Sequence, residues 1–161
     1  MDAKTVTQVL HDPLAQELMA ADIPARLAYT GPDGFPRVVP VGFHWDGSRI
    51  IVGTATNSPK VAALIANPKV ALTVDTAIQP PKVLLVRGTV TVDVVDGVFP
   101  EYLAGAKKHV GAERMPEFEA TVRGIYPQMA RLTVVPEWAK LLDFETRLPS
   151  FLEELIARSD T

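Results

Sequence analysis

The stretch from residue 50 to 75, IIVGTATNSPKVAALIANPKVALTVD, limits the folds open to this chain more than any other. Apolar runs rich in β-branched residues flank a short segment bounded by Ser58-Pro59 and Asn67-Pro68. That pattern reads as a buried strand, a polar turn, a helix over 60–66 and a second strand over 69–74. The helix is short for a crossover, and most other strand joints read as hairpins. Gly31-Pro32-Asp33-Gly34 lies between strands 26–30 and 37–45, and Asp46-Gly47 between 37–45 and 48–54. A doubly wound α/β sheet is therefore disfavoured. The expectation is a mainly β barrel or sandwich of six or seven antiparallel strands with accessory helices.

The remaining chain fits that frame. Apolar residues at Val6, Val9, Leu10, Leu14, Leu18 and Met19 keep a helical rhythm, broken by Asp12-Pro13, a pair suited to starting a second helix. The longest strand covers 82–95, with Gly88 in its interior as a bulge or bend. A helical region over 98–126 is divided by Gly111 and Pro116. Phe99, Tyr102, Leu103 and Ala106 share one face there, as do Phe118, Val122 and Ile125. Two closing strands, 129–135 and 138–144, are separated by Pro136, and a short helix or a partner-packing tail follows Pro149. With 161 residues the chain is read as one domain: a helical segment over 1–22, a barrel over 25–144 and a tail over 145–161.

Composition narrows function mainly by exclusion. The absence of cysteine removes disulfides, thiol catalysis and thiolate metal sites. A net charge of −3 gives no general reason to expect nucleic acid. No signal peptide and no membrane-length apolar run is visible, so a cytoplasmic location is expected. The three histidines, His11, His44 and His109, lack the spacing of a metal site. His44 reads as a packed strand-end residue, Trp138 as core or interface, and Lys107-Lys108-His109 as a solvated helix end. Asp93 and Asp96 read as strand-end and turn residues, so no acid–base pair stands out and the catalytic residues stay unassigned.

The chemistry concentrates at one joint. Thr54, Thr56, Asn57, Ser58 and Lys60 fall within seven residues at the start of the 60–66 helix. Ser58 or Asn57 can act as N-cap, and Pro59 suits the first helical position. Unpaired N–H groups at a helix start favour anions, and a lysine there opposes the helix dipole until an anion arrives. Hydroxyls, an amide and a cation so placed suit a phosphate monoester; a capped helix with a solvated lysine is the plain alternative.

Three stretches in this order resemble the pyridoxamine 5′-phosphate oxidase-like split β-barrel superfamily: GPDGFPRVVPVGFHWDGSRIIVGT, TATNSPKVAALIANPKVALTVD and VLLVRGTVTV. The resemblance runs over about 25–95 and more weakly through residue 144. It implies a split β-barrel and a homodimer that binds FMN, or coenzyme F420 in one branch, at the subunit interface. It further implies that Thr54, Ala55, Ser58 and Lys60 hold the cofactor phosphate and that Val39, Pro40 and Val41 lie against the ring system by main-chain and apolar contacts. Lys82 and Arg87 are further candidates for cofactor contacts. The implied activity is hydride transfer to or from a small organic substrate, with FMN ahead of F420; a non-catalytic carrier of flavin, F420 or haem is the alternative. Pyridoxamine phosphate oxidases proper carry an arginine-rich C-terminal segment. Here only Thr146-Arg147-Leu148-Pro149 echoes its ending, which argues against that substrate and makes Arg147 a surface or dimer contact.

Overall fold

The computed structural model describes residues 1–160. Two short helices come first, α1 (Ala3–Leu10) and α2 (Pro13–Ala20). Asp2 caps α1 by accepting from Thr5 N at 2.9 Å, and Asp12 caps α2 by accepting from Leu14 N at 2.9 Å, with Pro13 opening the helix. Their apolar stripes, Val6 and Leu10, then Ala15, Leu18 and Met19, are buried in the main core.

Seven strands form one antiparallel sheet: β1 (Ala25–Thr30), β2 (Pro36–Val41), β3 (His44–Trp45), β4 (Ile50–Thr54), β5 (Lys69–Asp75), β6 (Val83–Asp96) and β7 (Gln128–Leu142). Their order is β2-β1-β5-β6-β7-β4-β3, a mainly β, split-barrel arrangement. The turns follow their residues. Gly34 (φ 82°) and Gly47 (φ 99°) take the left-handed conformation that side chains disfavour, and the Asp33 and Asp46 carboxylates accept backbone N–H groups across each turn.

Alternation sends Leu27, Leu72, Leu84, Val86, Ile50, Val52 and Val134 into the main core, closed at one side by Leu64 of α3 (Pro59–Ala66). Burial of each such side chain stabilises the fold by roughly 1.5–3 kcal/mol relative to exposure. β4 is covered on both faces. Ile51 points the other way, into a second cluster with Val98, Phe99, Val122 and Met129 beneath α4 (Pro100–Val110) and α5 (Met115–Ile125).

Three expectations are corrected. The predicted strand 37–45 is two strands, because Phe43 turns inward to 1% exposure and α4 closes on its backbone. A Cβ on Gly105 would lie 2.7 Å from Phe43 O, so only glycine permits that approach. The two predicted closing strands are one continuous β7. Pro136 pairs with Gly88 where the register shifts after Arg87, and the ladder there needs no proline N–H. Ile125 does not share the packed face of Phe118 and Val122; it ends its helix 60% exposed. The tail forms α6 (Ser150–Ser159), whose Phe151, Leu155 and Ile156 are exposed.

Candidate functional site

β4 delivers Thr54 to the edge of the barrel, and the chain turns at once into α3. The turn is closed by Ser58 N donating to Ala55 O at 3.1 Å. Ser58 takes the N-cap position with extended backbone, and Pro59 opens the helix, as its fixed φ allows. Yet the Ser58 hydroxyl makes no cap hydrogen bond. It accepts instead from Lys60 Nζ at 2.8 Å, and Thr54 Oγ1 accepts from the same ammonium at 3.2 Å. Thr54, Ala55, Ser58 and Lys60 thus converge; Asn57 stays exposed beside them.

The electrostatics of this cluster are unbalanced. Lys60 is half-buried, and burial lowers its pKa from the ordinary lysine value. Among the described residues no carboxylate lies within ion-pair distance of it, and the first turn of α3 holds no acidic residue. The ammonium also sits at the positive end of a helix, which costs a few tenths of a kcal/mol. A phosphate would reverse both penalties, and the two hydroxyls that now accept from the ammonium can each donate to a phosphate oxygen. The donor set therefore fits a phosphate monoester.

The other sequence candidates make none of the hydrogen bonds that hold this cluster. Val41 is buried and Val39 packs on the core, whereas Pro40 is exposed opposite Arg26. Lys82 pairs with Glu17 of α2 at 3.2 Å. Arg87 stacks over Trp138, 4.2 Å from the ring centroid, on the outer face of the sheet. Arg147 is no loose surface group: it grips Asp12 through two hydrogen bonds of 2.8 and 3.2 Å.

One assembly escaped the sequence reading. Tyr102, Gly105, Ala106 and His109 follow the i, i+3, i+4, i+7 spacing of one helix face, and with Gly42, Phe43, Ile51 and Gly53 they enclose a cleft of about 220 Å³. A Cβ on Gly53 would fall 2.5 Å from Tyr102 Cδ2, so this strand position is bare because the ring occupies the space. His109 Nδ1 pairs with Asp22 Oδ1, and Lys108 Nζ donates to Met19 O at 3.0 Å while lying 3.6 Å from the Phe43 ring centroid. Burial pushes the Lys108 pKa down to about 8. The expected solvated cluster 107–109 is thus tied down at two of its three members. The extension of the Phe99–Ala106 stripe by one more turn, to His109, was the signal that could have found it. His44 lines a neighbouring recess with Trp45, Gln16 and Lys108. Among the described residues no three metal-ligating side chains converge, and no helix is long and apolar enough to cross a membrane.

A family profile described as pyridoxamine 5′-phosphate oxidase matches residues 12–132, most of the chain. The chain belongs to the pyridoxamine 5′-phosphate oxidase family. Within this family fold, the chain is similar to a solved F420 reductase, with 28% identity over 78% of this chain and 94% of that one, at a TM-score of 0.61. A putative pyridoxamine 5′-phosphate oxidase from Listeria innocua shares 17% identity over 83% and 98% of the two chains, with a TM-score of 0.58. HutZ, a haem storage protein from Vibrio cholerae, shares 17% over 82% and 93%, with a TM-score of 0.59. The last two likenesses concern the fold. No curated protein sequence matches the chain.

Proposed function

We propose that this member of the family is an oxidoreductase that binds a phosphate-bearing flavin or deazaflavin through Lys60, Ser58 and Thr54 and serves hydride transfer to or from a small organic substrate. The observation that carries the reading is Lys60: a half-buried ammonium held by two hydroxyls at a helix start, with no carboxylate among the described residues to balance it. The ring system, when bound, supplies the hydride chemistry; the protein supplies binding, orientation and a dry setting. Lys60 anchors the phosphate as a charge-assisted donor, Ser58 and Thr54 add hydroxyl donors, and the Ala55 carbonyl fixes the turn that aims them.

FMN is the cofactor expected from the wider superfamily. The 28% likeness to an F420 reductase supports F420 as the second candidate, and the shared phosphate chemistry serves both. Arg147 is already engaged by Asp12, which supports a substrate other than pyridoxamine phosphate. A carrier role without turnover is the competing reading. We further propose a homodimer, supported by the exposed Phe151, Leu155 and Ile156 of α6 and by Val38, Val94 and Val135 on the sheet.

The deciding experiment is a fluorescence titration of the cofactor-free chain with FMN and with F420. Saturable binding of either, followed by substrate-dependent bleaching of the bound ring, is the expected result. Binding without any redox turnover would favour the carrier, and binding of neither would overturn the reading.

A further inference from the structure

We propose that the cleft between α4 and β4 is a binding site for a compact, uncharged ring compound bearing a hydroxyl or carbonyl oxygen, with His109 Nε2 as its hydrogen-bond partner and Asp22 as the positioning residue. Much of the wall is apolar or bare: Phe43, Ile51, Ala106 and Phe118, with Gly42 presenting no side chain and Gly53 covered by the Tyr102 ring. At about 220 Å³ the space exceeds the roughly 150 Å³ in which an apolar cavity is known to hold benzene, leaving volume for ring substituents. Three lining residues carry polar groups, His109, Glu101 and Tyr102.

His109 is oriented for this task. Its Nδ1 is committed to Asp22 Oδ1, which fixes the ring and, in the neutral form, the tautomer. Nε2 makes no hydrogen bond among the described residues, and a Cβ built on Gly42 would lie 3.7 Å from it, so this edge faces the cleft floor. Nε2 accepts from a hydroxyl when the ring is neutral and donates to a carbonyl when it is protonated. Glu101 has no cationic partner among the described residues and lines the same space, which disfavours an anionic ligand. The cleft also adjoins the Lys60 cluster along the chain, because Gly53 lines it and the next residue, Thr54, holds Lys60. Service as the substrate recess rests on the cofactor reading above; binding itself does not.

The test uses the cofactor-free full-length chain and two probes of nearly equal shape, p-cresol and p-xylene, which differ by a hydroxyl in place of a methyl. One hydrogen bond in such a site gives p-cresol about three- to tenfold tighter binding. The ¹⁵N signal of His109 Nε2 moves with p-cresol and stays with p-xylene. His109→Phe brings the affinity ratio to about one while p-xylene still binds, and Ala106→Leu, which fills the cleft, removes both. A purely structural tie between His109 and Asp22 would leave the ratio unchanged. Equal affinities in the wild type, a preference that survives His109→Phe, or binding untouched by Ala106→Leu overturns the proposal. If His109→Phe does not fold, the wild-type Nε2 signal decides alone. Lys60→Ala leaves the p-cresol to p-xylene ratio unaltered, so a failed cofactor assignment and a failed cleft give different results.

Discussion

Replacing Lys60 by methionine separates a structural lysine from a ligand-binding one. In the cofactor-free protein the ammonium gains two hydrogen bonds to hydroxyls, at 2.8 and 3.2 Å, but loses hydration and opposes the dipole of α3. Methionine keeps the apolar stem, removes the desolvated charge and releases Ser58 to cap the helix, a contact worth about 1 kcal/mol. Stability without cofactor is therefore expected to hold or to rise by up to about 1 kcal/mol. With the cofactor the sign reverses. A charge-assisted bond to phosphate contributes roughly 1.5–3 kcal/mol, so FMN or F420 affinity falls about 10- to 150-fold. Burial lowers the folded-state pKa of Lys60, so the protonated form is disfavoured by the fold. Wild-type stability then rises as pH climbs through the window between that lowered pKa and the ordinary value of 10.5, while anion affinity falls over the same window. The methionine variant loses the affinity slope and the Lys60 share of the stability slope. Urea titration and fluorescence binding, each run as a pH series, measure both arms. A loss of more than 1 kcal/mol in the cofactor-free variant, or an affinity change below twofold, would refute the reasoning.

Lys108 offers a second pH signature. Its pKa falls from 10.5 to about 8 through burial, so wild-type stability rises between about pH 8 and 10.5. The group is only about half buried, which limits that gain to about 1 kcal/mol, and Lys108→Met makes the slope shallower in urea titrations, leaving the Lys60 share. Gly88→Ala places a Cβ 2.3 Å from Val135 O at the bulge and is expected to cost about 2–4 kcal/mol in chemical denaturation; a cost under 0.5 would mean the ribbon yields there. The homodimer is checked by sedimentation: Phe151→Lys with Leu155→Lys shifts the chain toward monomer if α6 seals the interface, and leaves its mass unchanged if it does not.

What could be read from sequence depended on how local the cause was. The Asp12-Pro13 break, the Gly34 and Gly47 turns and the Ser58-Pro59 helix start are each set by residues within a few positions, and all were legible. The bulge at Gly88 was legible too, but its partner was not. Pro136 suggested a break because a proline cannot donate, and only the pairing with β6 shows that no donor is needed there. The split after Val41 had the same origin: Gly105 and Phe43 meet across 62 positions of sequence, which no local pattern encodes. The site divides likewise. Thr54, Ala55, Ser58 and Lys60 are neighbours in the chain and were found together, whereas Asp22 and His109, 87 positions apart, were not. The partners of Lys82 and Arg87, Glu17 and Trp138, lie far from them in sequence and were not legible there.

The grip of Arg147 on Asp12 joins residues 135 positions apart. During synthesis Asp12 emerges 135 residues before Arg147, so all seven strands are made before this clasp can close. Contacts of such separation reward the chain late, after most loop-closure entropy has been met. The first helices therefore have a capped but unfastened interval while the sheet assembles. Loss of Arg147 leaves α2 held by Ala15, Leu18 and Met19 in the core, without the clasp at its start.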